Sequence, residues 1–137
     1  MLVFWLAVKI AASSAPALVW EKKKGSFPYV PTMLVAGDYL FTVHDKTGIA
    51  GCFEAATGKE VWTQRLSGTF KTSPVLVDGK VYLTNDDGVV FVYPAATAFK
   101  QLARNPLGER VIATPAVADG RLYIRGASHL FCIGKAG

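Results

Sequence analysis

Ser73-Pro74-Val75-Leu76-Val77-Asp78-Gly79-Lys80-Val81-Tyr82-Leu83-Thr84 is the stretch that decides the fold of this chain. Ser73 to Val77 reads as a strand whose second position is proline, which a strand tolerates only where it begins or at an edge. Asp78-Gly79 is a two-residue hairpin turn, because glycine accepts the positive φ that such turns demand. Lys80 to Thr84 is the returning strand. Asn85-Asp86-Asp87-Gly88 turns again, and Val89-Val90-Phe91-Val92-Tyr93 is a third strand. The first and third strands are apolar at consecutive positions. An antiparallel sheet with one wet face alternates, so these strands predict a neighbour packed on each face.

The same block recurs on either side. Thr32-Met33, Ser73-Pro74 and Thr114-Pro115 are spaced 41 positions apart, and so are Phe41, Tyr82 and Tyr123. Cys52, Val92 and Cys132 recur at 40. A turn stands between the first two sets each time: Gly37-Asp38, Asp78-Gly79 and Asp119-Gly120. Trp20 and Trp62, each preceded by valine, recur at 42. A period of about 40 to 50 residues, built from short apolar runs and glycine turns, indicates a β-propeller with one four-stranded blade per repeat. The 137 residues hold about three such units, fewer than the four of the smallest rings. The fold expected is therefore all-β: an incomplete β-propeller of about three four-stranded antiparallel blades in an open arc.

Around Trp62 the outer strand of a blade is clearest. Ala55-Ala56-Thr57-Gly58-Lys59 turns into Glu60-Val61-Trp62-Thr63-Gln64-Arg65-Leu66, which alternates as an exposed strand does. The middle repeat is expected to place this strand at Phe99-Lys100-Gln101-Leu102-Ala103, with Asn105 to Arg110 as a linker. The last repeat runs through Leu130-Phe131-Cys132-Ile133 and has no fourth strand. At the other end, Ala7-Val8-Lys9 takes the phase of Cys52-Phe53-Glu54, and Val19-Trp20 that of Val61-Trp62. Residues 2–10 then form a third strand and residues 17–22 a fourth, paired antiparallel, with Met1 an internal residue of a longer parent. A signal peptide and a disordered tail are the competing readings of this apolar start. The division expected is 1–22 as a partial blade, 23–66 and 67–103 as blades, and 104–137 as a last blade without its outer strand.

Composition sets limits on function. The chain is 51% hydrophobic, with 13 Gly and 7 Pro scattered as turn punctuation, so it can bury a core. Fifteen basic against ten acidic residues give a net charge of +5, but the one basic run is Lys22-Lys23-Lys24. That run reads as a solvated loop more readily than as a contact for an anionic partner, and no nucleic-acid partner is expected, since such binders cluster their charge. The apolar run before Lys9 is too short to span a membrane, which takes about 20 residues, so no membrane insertion by this segment is expected. Cys52 and Cys132 share a repeat position two blades apart. With packed sheets about 10 Å apart, their sulfurs are expected roughly 20 Å apart, far beyond the reach of a disulfide. Both are expected as buried free thiols.

A few residues have side chains suited to chemistry. Asn85-Asp86-Asp87-Gly88 carries oxygen ligands but lacks the alternating spacing and distal glutamate of a calcium loop, so a hairpin turn is expected. His44 and His129 stand in different repeats without neighbouring ligands at zinc spacing and read as surface turn residues. No nucleophile elbow or phosphate-binding glycine loop occurs, and Ser67-Gly68 reads as a turn. Phe41, Tyr82 and Tyr123 read as inter-blade core rather than as a stacking platform. No catalytic, cofactor-binding or metal-binding residue is assigned, and no cofactor is expected.

The Ser73-Pro74 to Tyr82 block, with Ala55-Ala56-Thr57-Gly58-Lys59-Glu60-Val61-Trp62, resembles the PQQ-like propeller repeat shared by quinoprotein dehydrogenases and BamB-like outer-membrane assembly lipoproteins. The resemblance covers roughly residues 19 to 134. It implies a ring of about seven or eight blades in the whole protein, and a last blade completed by a strand from the chain's beginning. It also implies that Trp62 and Trp20 are docking pegs between blades, with Trp62 largely buried, and an extracytoplasmic, periplasmic setting. Enzymes of the group hold calcium and a quinone beside an adjacent Cys-Cys pair, which this chain lacks. The function expected is a non-catalytic scaffold or protein-interaction segment, whose partner is another protein or the remaining blades. A piece of a quinone-dependent dehydrogenase, or the sensor part of a larger receptor or kinase, are the alternatives. Sequence upstream of Met1 discriminates among the three, and oligomeric state is left open.

Overall fold

The computed structural model describes residues 5–11, 14–23 and 27–134. Among these residues thirteen strands form four antiparallel sheets and there is no helix, so no helix among them is long and apolar enough to cross a membrane. The first sheet pairs β1 (Trp5–Ala11) with β2 (Ser14–Lys22). The second holds β3 (Leu34–Ala36), β4 (Tyr39–Val43), β5 (Ile49–Glu54) and β6 (Glu60–Arg65) in that order. The third repeats it with β7 (Val75–Val77), β8 (Lys80–Thr84), β9 (Val89–Pro94) and β10 (Ala103–Pro106). The fourth has three strands, β11 (Ala116–Ala118), β12 (Arg121–Arg125) and β13 (Leu130–Ile133). This is the meander of an open propeller arc.

Residue choice explains the hairpins. Asp78 and Gly79 both have positive φ, at 47° and 70°, as do Asp119 and Gly120 at 49° and 68°. Aspartate followed by glycine is the pair that such a turn favours. In the second sheet the order is reversed, and Gly37, the first turn residue, takes the positive φ.

Sheets stack face to face, and β9 shows it best, with Val89 to Tyr93 all buried. Val89, Phe91 and Tyr93 pack with Phe41, Val43 and Cys52 of the second sheet. Val90 and Val92 point the other way, onto Val111, Leu122 and Ile124. A smaller cluster of Phe27, Leu40 and Phe53 takes up Trp20 from the first sheet. The inner edges are joined by a column of hydroxyls: Thr32 N–H donates to Ser73 Oγ at 2.8 Å, and Ser73 N–H donates to Thr114 Oγ1 at 2.9 Å. The residues that announced the period in the sequence are thus the ones that connect successive sheets.

The start of the chain follows the repeat register. Ala7 pairs with Trp20 as Cys52 pairs with Trp62, and a register shift follows at once in both, after Ala7 and after Cys52. Residues 5–11 and 14–22 are antiparallel strands, with no helix standing off the sheets; residues 1–4 lie outside the described ones.

Three expectations need correction. The outer strand of the third sheet begins at Ala103 instead of ending there, and includes Asn105 and Pro106. In the second sheet the corresponding turn closes tightly through Gly58 at φ +69°, but Ala98 stands in that place and resists a left-handed backbone. The chain takes a longer path before it pairs, and proline is tolerated because the strand is an edge. Cys132 is exposed, not buried, although both thiols are free. It faces the same side as its cross-strand partner Tyr123, away from the third sheet, where no described sheet lies. Trp62 is half-buried, its indole spanning the outer rim of the seam between the second and third sheets.

Candidate functional site

At one end of the sheets, the turn between the second and third strands meets the segment entering the sheet from its neighbour. Each repeat builds this end differently. In the second sheet His44 Nδ1 accepts the amides of Lys46 and Thr47, both at 3.2 Å, so its proton sits on Nε2. Asp45 accepts Tyr29 N–H through Oδ1 at 3.2 Å, and its carbonyl accepts Phe70 N–H at 2.8 Å. In the third sheet the buried Asn85 donates from Nδ2 to Ser67 O and accepts Val89 N–H, at 3.0 and 2.8 Å. Asp86 Oδ2 takes Thr69 Oγ1–H at 2.9 Å and Lys71 Nζ at 3.0 Å, while its carbonyl accepts Val111 N–H.

The fourth sheet inverts the plan. Gly126 replaces Asn85 in the repeat, and Glu109 replaces Gly68. The Glu109 side chain now reaches into the turn: Oε1 accepts the amides of Ser128 and His129, and Oε2 accepts His129 Nδ1–H at 2.9 Å. A Cβ on Gly126 would overlap that carboxylate, just as a Cβ on Gly68 would come within 2.6 Å of the Asn85 amide. Each pair therefore works only with one long side chain and one glycine. The His129 hydrogen bond, with the two amides, holds the Glu109 carboxyl below its ordinary value.

Beside this turn lies a cavity of about 440 Å³ lined by Arg110, Ile112, Ala113, Arg125, Gly126 and Ala127. Its two guanidinium groups have no ion pair among the described residues, and Arg125 Nε–H donates only to the Gly126 carbonyl. In the middle repeat the positions of Arg110, Arg125 and Ala127 are Thr69, Thr84 and Asp86. The acid has gone and two cations have arrived.

The chemically capable residues are scattered over the sheets. Asn85-Asp86-Asp87-Gly88 is a turn whose polar groups are engaged within the fold. His44 and His129 lie in separate turns. Phe41 is fully buried in the second seam and Tyr82 packs in the third, whereas Tyr123 is half-exposed. Lys22 lies over the Phe53 ring at 5.0 Å, Lys23 pairs with Glu21 at 3.2 Å, and Lys24 lies outside the described residues. Among the described residues no three His, Cys, Asp or Glu side chains gather where they could hold a metal ion. Burial pushes the Cys52 thiol up to about 11, so it stays protonated and a poor nucleophile at neutral pH. Glu109, Arg110 and Arg125 carry no motif that marks them in the sequence; the signal that exposes the missing acid is the alignment of Asp45, Asp86 and Ala127 by the 41-residue step.

The indole pegs complete the picture. Trp62 Nε1–H donates to Ala96 O at 3.0 Å, and Trp20 Nε1–H donates to Ala55 O at 2.9 Å. Both acceptors stand in the turn that follows the third strand of the next sheet, at adjacent repeat positions. Trp62 also lies against Phe41, Tyr93 and Phe99, with ring centroids 6.1, 5.8 and 5.2 Å away.

A comparison with curated protein sequences found no match. Among solved structures the chain is similar to BamB from Moraxella catarrhalis, with 22% identity and a TM-score of 0.70 over 86% of this chain and 37% of that one. It is also similar to a europium-containing methanol dehydrogenase, with 18% identity and a TM-score of 0.60 over 74% of this chain and 21% of that one. At such identities the likeness shows the shared propeller fold alone, and the chain spans well under half the length of either protein. The sequence profile described as outer membrane protein assembly factor BamB matches residues 9–102. With its indole pegs, hydroxyl column and repeating hairpins, the chain belongs to this family of PQQ-like β-propeller repeat proteins.

Proposed function

We propose that this chain is a non-catalytic propeller segment that serves as a scaffold and protein-interaction surface in an extracytoplasmic, periplasmic setting. Each of its sheets is one blade, and the neighbouring blades of a longer parent are its nearest partners. The observation that carries this reading is the use made of the polar groups at the loop end. His44, Asn85, Asp86 and Glu109 hold turns and seams together, the work of a frame. The family profile of an outer membrane assembly factor supports the same reading and its location.

The test has two arms. A photoreactive side chain at Leu130, 67% exposed on the last sheet, is expected to crosslink a discrete protein in cells expressing the parent, while the same group at Lys100 does not. Calorimetry with pyrroloquinoline quinone and calcium is expected to show no binding to the chain. Micromolar quinone binding would overturn the scaffold reading in favour of a dehydrogenase.

A further inference from the structure

We propose that His44 and Asp45 form a pH-gated switch in the turn between β4 and β5. When the imidazole takes up a second proton, Nδ1 gives up the amides of Lys46 and Thr47 and pairs with the Asp45 carboxylate. The next repeat holds the same corner with groups that do not titrate in this range, and the contrast between the two turns points to the device.

In its neutral form the ring is an acceptor. His44 Nδ1 accepts the N–H groups of Lys46 and Thr47, both at 3.2 Å, which leaves the ring proton on Nε2. One repeat on, Asn85 stands at the same position, and its Oδ1 accepts Val89 N–H at 2.8 Å. An amide oxygen accepts at any pH. An imidazole nitrogen accepts only while it carries no proton, and in the cation both ring nitrogens are donors. The third sheet therefore has a fixed clasp and the second a titratable one.

Asp45 and Asp86 also share a repeat position. Asp86 has its cation, with Oδ2 on Lys71 Nζ at 3.0 Å and on Thr69 Oγ1 at 2.9 Å. In the repeat of Asp45 those two places are Val30 and Pro28, which offer neither charge nor hydroxyl. Asp45 is buried, and its Oδ1 accepts Tyr29 N–H at 3.2 Å. Among the described residues His44 is the one basic side chain placed to pair with it, Nδ1 standing 3.7 Å from Oδ1. A buried carboxylate is costly without a cation, and a proton on Nδ1 supplies one. The imidazole is 23% exposed, so that proton comes from solvent.

The other charged groups around the turn are engaged elsewhere or face water. Lys46 is exposed. Arg65 of β6 donates through Nη1 to the Thr47 carbonyl at 2.8 Å. Lys71 and Asp86 of the adjoining turn hold each other. The entering segment 27–31 carries no charge, and Tyr29 is its one titratable side chain. Protonation thus moves the grip of His44 from its own turn to the residue that anchors both neighbouring segments, since Asp45 also accepts Phe70 N–H through its carbonyl.

Amide exchange and NMR of the ring and carboxyl groups test this on the full chain across the range in which an imidazole titrates. Protection of the Lys46 and Thr47 amides, relative to the unstructured rate at each pH, is expected to fall about tenfold as the His44 ring gains its proton, roughly the worth of one hydrogen bond. The Asp45 carboxyl carbon is expected to shift in the same range, above the pH at which a carboxylate itself is protonated. His44→Asn copies the residue of the next repeat and accepts at every pH, so both changes are expected to vanish in it. Val89, held by Asn85, is expected to keep its protection throughout.

Steady protection at Lys46 and Thr47 while the ring titrates would overturn the switch. An Asp45 carbon that moves only in the carboxylate range would overturn the exchange of partners. A parallel fall at Val89 would show the whole chain loosening and would overturn a local device. These three readings need only the unmodified chain, so a variant that misfolds does not stall the test.

Discussion

Single side chains carry the seams between sheets, and Trp62 carries most at the second. Its indole fills the rim between Phe41, Tyr93 and Phe99 and donates to the Ala96 carbonyl. Trp62→Ala is expected to destabilise the chain by about 3 kcal/mol, the lower end for a large aromatic because one side of the ring meets solvent. Trp62→Phe should cost only about 1 kcal/mol beyond lost area, the value of the hydrogen bond. Urea melts of the three proteins check the ranking, and equal midpoints would remove the peg. The two thiols should behave oppositely. Native protein is expected to react quickly with a thiol reagent at Cys132 and slowly at Cys52, whose thiol is buried and raised to about 11; denaturant should release the second equivalent. Glu109 gives a pH signature. Its carboxyl is held low in the folded state, so its hold on the turn is present above the ordinary carboxylate value and is lost as pH falls through the lowered one. The protection of the Ser128 and His129 amides against exchange, relative to the unstructured rate at each pH, should fall on acidification, and Glu109→Gln should lower it at neutral pH.

Hairpins and strands were legible where a residue type has one physical reading. Asp-Gly at 78–79 and 119–120 fixed two turns, because few other pairs accept positive φ at both positions. Consecutive apolar residues over Val89 to Tyr93 announced a strand covered on both faces. The outer strand of the third sheet was not legible, since Phe99 to Ala103 has the polarity of an outer strand and only the absence of a glycine at position 98 delays pairing. The exchange of Asn85 and Gly68 for Gly126 and Glu109 was hidden because each substitution alone looks like ordinary loop variation. These elements also predict how glycines tolerate change. Gly58 and Gly79 both have positive φ near 70°, yet a Cβ on Gly58 would meet the Trp20 ring at 2.7 Å, while one on Gly79 meets nothing within 4 Å. Gly79→Ala is expected to cost about 1 kcal/mol for the backbone alone, and Gly58→Ala distinctly more, because the peg of the preceding sheet has to move. Melting midpoints that fall equally would show that Trp20 does not press on that turn.

Across the whole molecule, burial is highest in the middle and declines toward both ends of the arc. Strand β9 is covered on both faces, whereas β11 is exposed along its full length. In the first sheet Leu18 and Val19 are 60% and 54% exposed, although neighbouring strand residues point to opposite faces. Uncovered apolar faces and unpaired strand edges attract other chains. The isolated chain is therefore expected to self-associate reversibly with rising concentration. The fourth sheet is the place to weaken this, because Leu130 lies on the same face as its cross-strand partner Arg125, turned away from the third sheet. A lysine at Leu130 sits on that open face beside a like charge and leaves Leu122 and Ile124, on the buried face, untouched. Sedimentation velocity is expected to show the Leu130→Lys protein shifted toward monomer with its melting midpoint unchanged. A protein that stays monomeric without the substitution would show that the open ends of the arc are not sticky, and that folding of the three seams alone satisfies the chain.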